Sequence, residues 1–116
     1  MFDNEPKWID VEATGEVTKH KYMGRFKLKP YLTLGERADA VRLAENYCRG
    51  IVTAIDQRDF LTTLAFLNFH VVETDADWWK DEKKFQLLDE APVYSLSRKV
   101  RELQNPEKKK DDEKKD

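Results

Sequence analysis

Residues 57 to 72 read as a helix that is apolar nearly all round. Phe60, Leu61, Leu64, Ala65, Phe66, Leu67, Phe69, Val71 and Val72 leave it no continuous polar face. A helix of that kind is either the buried centre of a domain or lies against a partner. It sits in a chain of 116 residues. That length allows one domain with a tail, not a nucleotide-binding domain joined to a separate substrate domain. The other elements must therefore be arranged around this helix. Asp56 is its N-cap candidate. Its last residues, 69 to 72, also read as a strand, because Val71 and Val72 are β-branched.

The start of the chain has a different period. From Lys7 to Ala13, Ile9, Val11 and Ala13 share one face, and Trp8, Asp10 and Glu12 share the other. From Lys21 to Lys29, Tyr22, Gly24, Phe26 and Leu28 alternate with Met23, Arg25, Lys27 and Lys29. Period two over such lengths marks half-buried strands. Thr14-Gly15-Glu16 is a turn or bulge signal, so the pair forms a β-hairpin with its tip near Val17 to Lys19. Gly24 opposite a bulky partner lets the two strands approach closely. A lone hairpin is marginal in water, so it must pack on the helices or gain a strand from a partner.

Pro30 ends the second strand. Thr33-Leu34-Gly35-Glu36 then fits a capping box, and a helix runs to about Arg49 with Gly50 as its stop. Ala40, Val41, Ala44, Tyr47 and Cys48 make its apolar stripe. Thr74 to Asp77 is a loop and cap signal before Trp78-Trp79, and Lys80 to Leu88 reads as a short helix. Pro92 suits a first helical turn. Val93, Leu96, Val100 and Leu103 then define a narrow amphipathic helix to Gln104. The expected fold is α+β: an N-terminal antiparallel hairpin packed on a three- to four-helix domain over residues 6–104. Residues 1–5 are a flexible start. Residues 105–116 carry five lysines and five acids with no apolar side chain but Pro106, which reads as a charged, disordered tail.

Chemistry is sparse. The histidines, His20 and His70, are far apart, and Cys48 is the one cysteine. No metal-ligand spacing is present, and Asp75, Asp77 and Asp81 lack the glycine and glutamate of a calcium loop. Cys48 falls on an apolar stripe and reads as an inert thiol. His70 reads as satisfying a backbone carbonyl or facing solvent, and His20 as exposed. Adjacent carboxylates such as Asp89-Glu90 are expected by chance among 23 acids. No glycine-rich phosphate loop occurs. Neither catalysis nor a cofactor or metal is expected. One cysteine permits no internal disulfide, which fits a reducing cytosol. The longest apolar run, Leu64 to Leu67, is far below a membrane span, and the first residues lack a signal-peptide pattern. The reading is a cytoplasmic protein with no membrane partner.

The formal net charge of −2 argues against a general nucleic-acid binder. Asp3 to Glu16 is acidic and Lys19 to Lys29 is basic, which suggests adjacent strands with opposite charge across them. A basic face for RNA or for an acidic partner is the sharper alternative. Trp78-Trp79 is the most unusual feature. Adjacent helical positions diverge by about 100°, so one ring packs inside and the other is a candidate partner contact. Trp8 and Met23, on the outer face of the hairpin, are candidates to extend an apolar patch, and Phe66 on the apolar helix completes the set.

The layout resembles that of a known family. Val11 to Leu32 contains Thr-Gly-Glu, then Tyr-Met-Gly-Arg-Phe-Lys-Leu-Lys-Pro-Tyr-Leu, with Thr33 next. A capped helix with Gly35-Glu36-Arg37-Ala38-Asp39-Ala40-Val41-Arg42 follows, then an apolar helix, Asp77-Trp78-Trp79, a last helix from Pro92 to Leu103 and a charged tail. This resembles small tail-assembly proteins of tailed bacteriophages, in particular tail assembly chaperones. The resemblance implies a non-enzymatic helper that coats the tape measure protein, keeps its long helices soluble, recruits tail tube subunits and self-associates. Neighbouring alternatives are a structural virion component, such as a head–tail connector or minor capsid or decoration protein, and a small nucleic-acid-binding regulator.

Overall fold

The structure is a computed structural model and describes residues 4–49, 55–80 and 83–105. The expectations at residues 1–3, at the Gly50 stop and in the tail from residue 106 lie outside the described residues. The fold is α+β, with helices on one face of a three-stranded antiparallel sheet.

Strands β1 (Lys7–Thr14) and β2 (Lys21–Leu28) form the expected hairpin, with Ile9 opposite Phe26, Val11 opposite Gly24 and Ala13 opposite Tyr22. Their inward face therefore carries the side chains that alternation selected, and Val11, Tyr22, Phe26 and Leu28 are buried. The chain reverses at residues 16–18, where the Gly15 N–H donates to the His20 carbonyl at 2.9 Å. Lys19 sits in the left-handed region at φ 62°, a conformation a non-glycine residue accepts in a turn.

Helix α1 (Leu34–Cys48) starts at the predicted box: Thr33 Oγ1 accepts the Glu36 N–H at 3.1 Å, and Glu36 Oε1 accepts the Thr33 N–H at 2.9 Å. Its buried seam is Ala40 and Ala44, with Tyr47 and Cys48 half-buried. Val41 is exposed, because it lies about 100° round from Ala40 and off the seam with α2. Small side chains at i and i+4 let the two helices approach closely.

Asp56 lies within helix α2 (Ile55–His70) and is not its N-cap. The helix touches α1 and α3 (Ala91–Gln104), and Leu64 and Leu67 join the sheet-side core of Val11, Phe26, Leu28, Val93, Leu96 and Val100. The helix without a polar face is thus the centre of the domain. It stops at His70, and the next residues form β3 (Val71–Thr74), antiparallel to β2. The strand option for Val71 and Val72 prevails over the helical one because a β2 edge is open there to receive them. A register irregularity between Lys27 and Leu28 accompanies the pairing, with Val71 packed on the core and Val72 exposed.

Beyond β3 the chain still follows β2. The Asp75 N–H and the Thr74 hydroxyl donate to the Arg25 carbonyl at 3.3 and 2.9 Å, and the Arg25 N–H donates to Asp75 Oδ1 at 2.9 Å. Polar groups of the loop thereby replace a longer strand. The expected helix over 80–88 is reduced to one 3₁₀ turn, Lys83–Gln86, among the described residues. Helix α3 carries Pro92 in its first turn and buries Val93, Leu96 and Val100, as the three-and-four spacing implied. It runs beside β1, fastened by Ser95 Oγ donating to the Glu12 carbonyl at 3.3 Å and by Gln104 Nε2 donating to the Pro30 carbonyl at 2.7 Å.

Gly24 serves a different neighbour from the one expected. A Cβ there would lie 2.6 Å from the Ala76 Cβ. The close approach is thus that of the 74–78 loop over β2, not that of β1. Gly24→Ala is expected to destabilise the fold by about 1–3 kcal/mol, the range for overpacking. Urea unfolding checks this, with a lowered midpoint and an unchanged slope expected.

Candidate functional site

The outer face of the sheet is built by the charge pattern of the hairpin. Glu12 and Lys21 pair at 2.6 Å, and Asp10 and Arg25 at 3.4 Å. The Arg25 guanidinium also lies 5.4 Å from the centre of the Trp8 ring. Lys29, at the end of the basic segment, pairs with Glu36. Acid and base therefore meet directly across the Asp10–Arg25 row and diagonally at Glu12–Lys21. Trp8 stands opposite Lys27 and Met23 opposite Glu12, and the Asp10–Arg25 row lies between them. Both side chains are exposed, but the expected joint apolar patch does not form.

Trp78 and Trp79 occupy a turn and not a helix, so the angular argument does not apply to them, and both pack against the core to different depths. Trp79 is 4% exposed and stacks edge-on to Phe26 at 6.1 Å, with Lys84 Nζ 4.7 Å above its ring. Trp78 is half-buried against Tyr22 and Phe26, at 5.6 and 5.4 Å between ring centres. Its indole N–H donates to the Met23 carbonyl at 3.0 Å. Trp78 thus fastens the loop to the β2 edge as well as presenting surface.

Phe66 is half-buried in a groove of about 270 Å³ between α2 and α3, beside Thr63, His70, Ser97, Arg101 and Gln104. His70 is buried, and its Nδ1 lies 2.7 Å from the Lys29 carbonyl, so this nitrogen carries the hydrogen of the bond. Burial pushes its pKa down. The backbone-satisfying reading of His70 holds, and His20 is exposed. Cys48 is half-buried rather than enclosed.

The most elaborate polar arrangement centres on a residue to which sequence reasoning gave no role. Asp89 is buried between the hairpin turn and the start of α3. Its Oδ1 accepts the Val17 N–H at 2.7 Å and the Thr18 N–H at 3.3 Å. Its Oδ2 accepts the Thr18 hydroxyl at 2.6 Å and the Tyr22 hydroxyl at 2.8 Å. Gly15 leaves the space for it, since a Cβ there would fall 2.2 Å from the carboxyl. The Thr18 hydroxyl foremost, then the Tyr22 hydroxyl and the two amides, hold the Asp89 carboxyl at about 2, against the opposing effect of burial. Burial and the Asp89 bond push the Tyr22 hydroxyl up. The only sequence signals were Gly15 in a turn and an acid before a helix, and no local spacing couples residue 89 to residues 15–22.

Beside this carboxylate lies a groove of about 330 Å³ lined by Glu16, Val17, Leu88, Glu90, Ala91 and Tyr94 as well as Asp89. Val17, Leu88 and Tyr94 are 69%, 70% and 44% exposed. Three of the large apolar side chains that the fold leaves in water thus surround one depression, whose two walls Asp89 ties together. Exposed apolar groups gathered in this way mark contact surfaces.

No family model, curated protein or solved structure matches the chain. Among the described residues no group of three His, Cys, Asp or Glu side chains is placed to hold a metal ion, and no helix is long and apolar enough to cross a membrane.

Two outcomes are expected. Trp79→Ala should cost about 3–5 kcal/mol, as for a buried aromatic, whereas Trp8→Ala should stay within about 0.5 kcal/mol, as for a surface site; urea unfolding of the two variants compares them. Asp89 also makes stability depend on acid. Its folded pKa lies below its ordinary value of 3.8, so its contribution is complete above that value and is lost as pH falls through about 2. Thermal unfolding between pH 5 and 2 should therefore show a decline that Asp89→Asn flattens, with the variant less stable at pH 7.

Proposed function

We propose that the chain is a non-enzymatic assembly protein of a tailed bacteriophage, a tail assembly chaperone that binds the tape measure or tail tube proteins through apolar surface in the host cytoplasm. The observation that carries the binding reading is the exposed trio Val17, Leu88 and Tyr94 around one groove. A preformed contact surface needs walls that do not collapse into it, and the Asp89 hydrogen bonds supply this restraint. The phage assignment rests on the resemblance in layout, from the Thr-Gly-Glu hairpin to the Trp-Trp segment and the charged tail.

A chaperone of this kind acts by covering apolar faces of long helices until they are assembled. Its own apolar side chains must then face water in the free state, at sites where they do not disturb its core. Val17 at the hairpin tip and Leu88 ahead of α3 meet that requirement, because neither belongs to the core cluster.

Co-expression with tagged tape measure and tail tube proteins from the same genome tests the reading. The chain is expected to co-purify with one of them and to raise the soluble fraction of the tape measure protein. A chain that stays strictly monomeric by light scattering and is retained by neither protein would overturn it.

A further inference from the structure

The groove beside Asp89 has a chemical sign as well as an apolar rim. Three of its lining residues are acidic, Glu16, Asp89 and Glu90, and none is basic. Among the described residues none of the three has a cationic partner. The Asp89 oxygens are met only by hydroxyl and amide donors, and Glu90 precedes α3 without making a capping bond. The other acids of the hairpin are treated differently: Asp10 and Glu12 each face a base within ion-pair distance. The molecule thus neutralises its sheet face and leaves this depression negative. Clustered carboxylates beside apolar walls raise the local concentration of cations and strengthen a contact that excludes water.

We infer that this groove receives a protein segment in which an apolar side chain is flanked by lysine or arginine. The inference rests on the proposed protein-binding role and assigns the partner its chemistry. The apolar side chain enters between Val17, Leu88 and Tyr94, and the flanking cations meet Glu16 and Glu90. A second copy of this chain is a poorer occupant: Arg25 and Lys27, the bases beside the exposed Trp8 on the sheet face, already stand opposite Asp10 and Glu73.

The test is an NMR titration of the full chain, ¹⁵N-labelled, with three synthetic helical peptides: leucine–lysine, leucine–glutamate and serine–lysine. The leucine–lysine peptide is expected to shift the amides of residues 16–18 and 88–94 and to bind at least tenfold more tightly than the other two. Glu16→Lys with Glu90→Lys should reverse the preference between lysine and glutamate peptides, and Leu88→Ser should weaken binding of the leucine–lysine peptide. All three positions are exposed, and circular dichroism checks that the variants fold. Equal binding of the leucine–lysine and leucine–glutamate peptides, shifts centred on the α2–α3 groove, or concentration-dependent shifts at residues 16–18 without peptide would each overturn the inference. A Glu16→Lys/Glu90→Lys variant that still captures the tape measure protein as well as the native chain does would sink the inferred cationic flanks while leaving the chaperone reading intact.

Discussion

The interaction on which the arrangement depends is the one between the Asp89 carboxylate and the hairpin turn. A two-stranded hairpin is marginal in water, and its turn lies beside the start of α3. Asp89 reaches that turn from the residues just before α3 and accepts four hydrogen bonds from Val17, Thr18 and Tyr22. A buried ionised carboxylate is costly unless donors surround it. Here the donors include two turn amides that would otherwise lack a partner in the hairpin ladder. The bond set therefore solves two problems together, the solvation of the acid and the satisfaction of the turn. It also spans some seventy positions of the chain, and so closes the sheet and the last helix into one body.

The same economy governs the β2 edge. A strand edge exposes alternate amides and carbonyls and invites pairing with other chains. β3 covers only part of β2, and the loop after it covers Arg25 and Met23 with an aspartate, a threonine hydroxyl and an indole. Such groups satisfy the edge without a further strand, and they hold Trp78 and Trp79 where both rings meet Phe26. Gly24 is the concession this demands, because any side chain there would occupy the space of Ala76.

Much of this was legible in the sequence, and what was not has a physical reason. Alternation placed Val11, Phe26 and Leu28 inside, and the capping box at Thr33 and the Val93–Leu96–Val100 spacing fixed both outer helices. These signals are local, arising within one turn or one pleat. The extent of α2 was read too far, to Val72, because the choice between helix and strand at Val71 is made by the β2 edge and not by the residues themselves. Val41 was read as core because a stripe drawn on one helix does not know which side its neighbour takes. The Asp89 cluster left no periodic trace at all: its acceptor and its donors are distant in sequence, and an acid before a helix looks like any other. Of the candidate contact residues, Trp8 and Met23 are exposed but apart, Trp79 is core, and Val17, Leu88 and Tyr94 were invisible as a group until the turn and α3 were brought together.

This redistribution alters what the apolar surplus of so short a chain means. The over-apolar helix suggests a partner by composition, yet α1, α3 and the sheet bury its Leu64, Ala65 and Leu67 and half-bury Phe60, Leu61, Phe66 and Phe69. The surface left for a partner comes instead from side chains that no periodicity selected, at the tip of a turn and in the approach to a helix. Single exposed apolar residues are ordinary, but here three of them gather round one groove. On the sheet face, by contrast, each exposed acid of β1 is matched by a base across the pair, an arrangement worth little in stability but effective in keeping a flat surface from attracting charged chains. One face is made indifferent and one groove is left charged and apolar. That contrast, more than the total of apolar residues, is what the proposed binding role rests on.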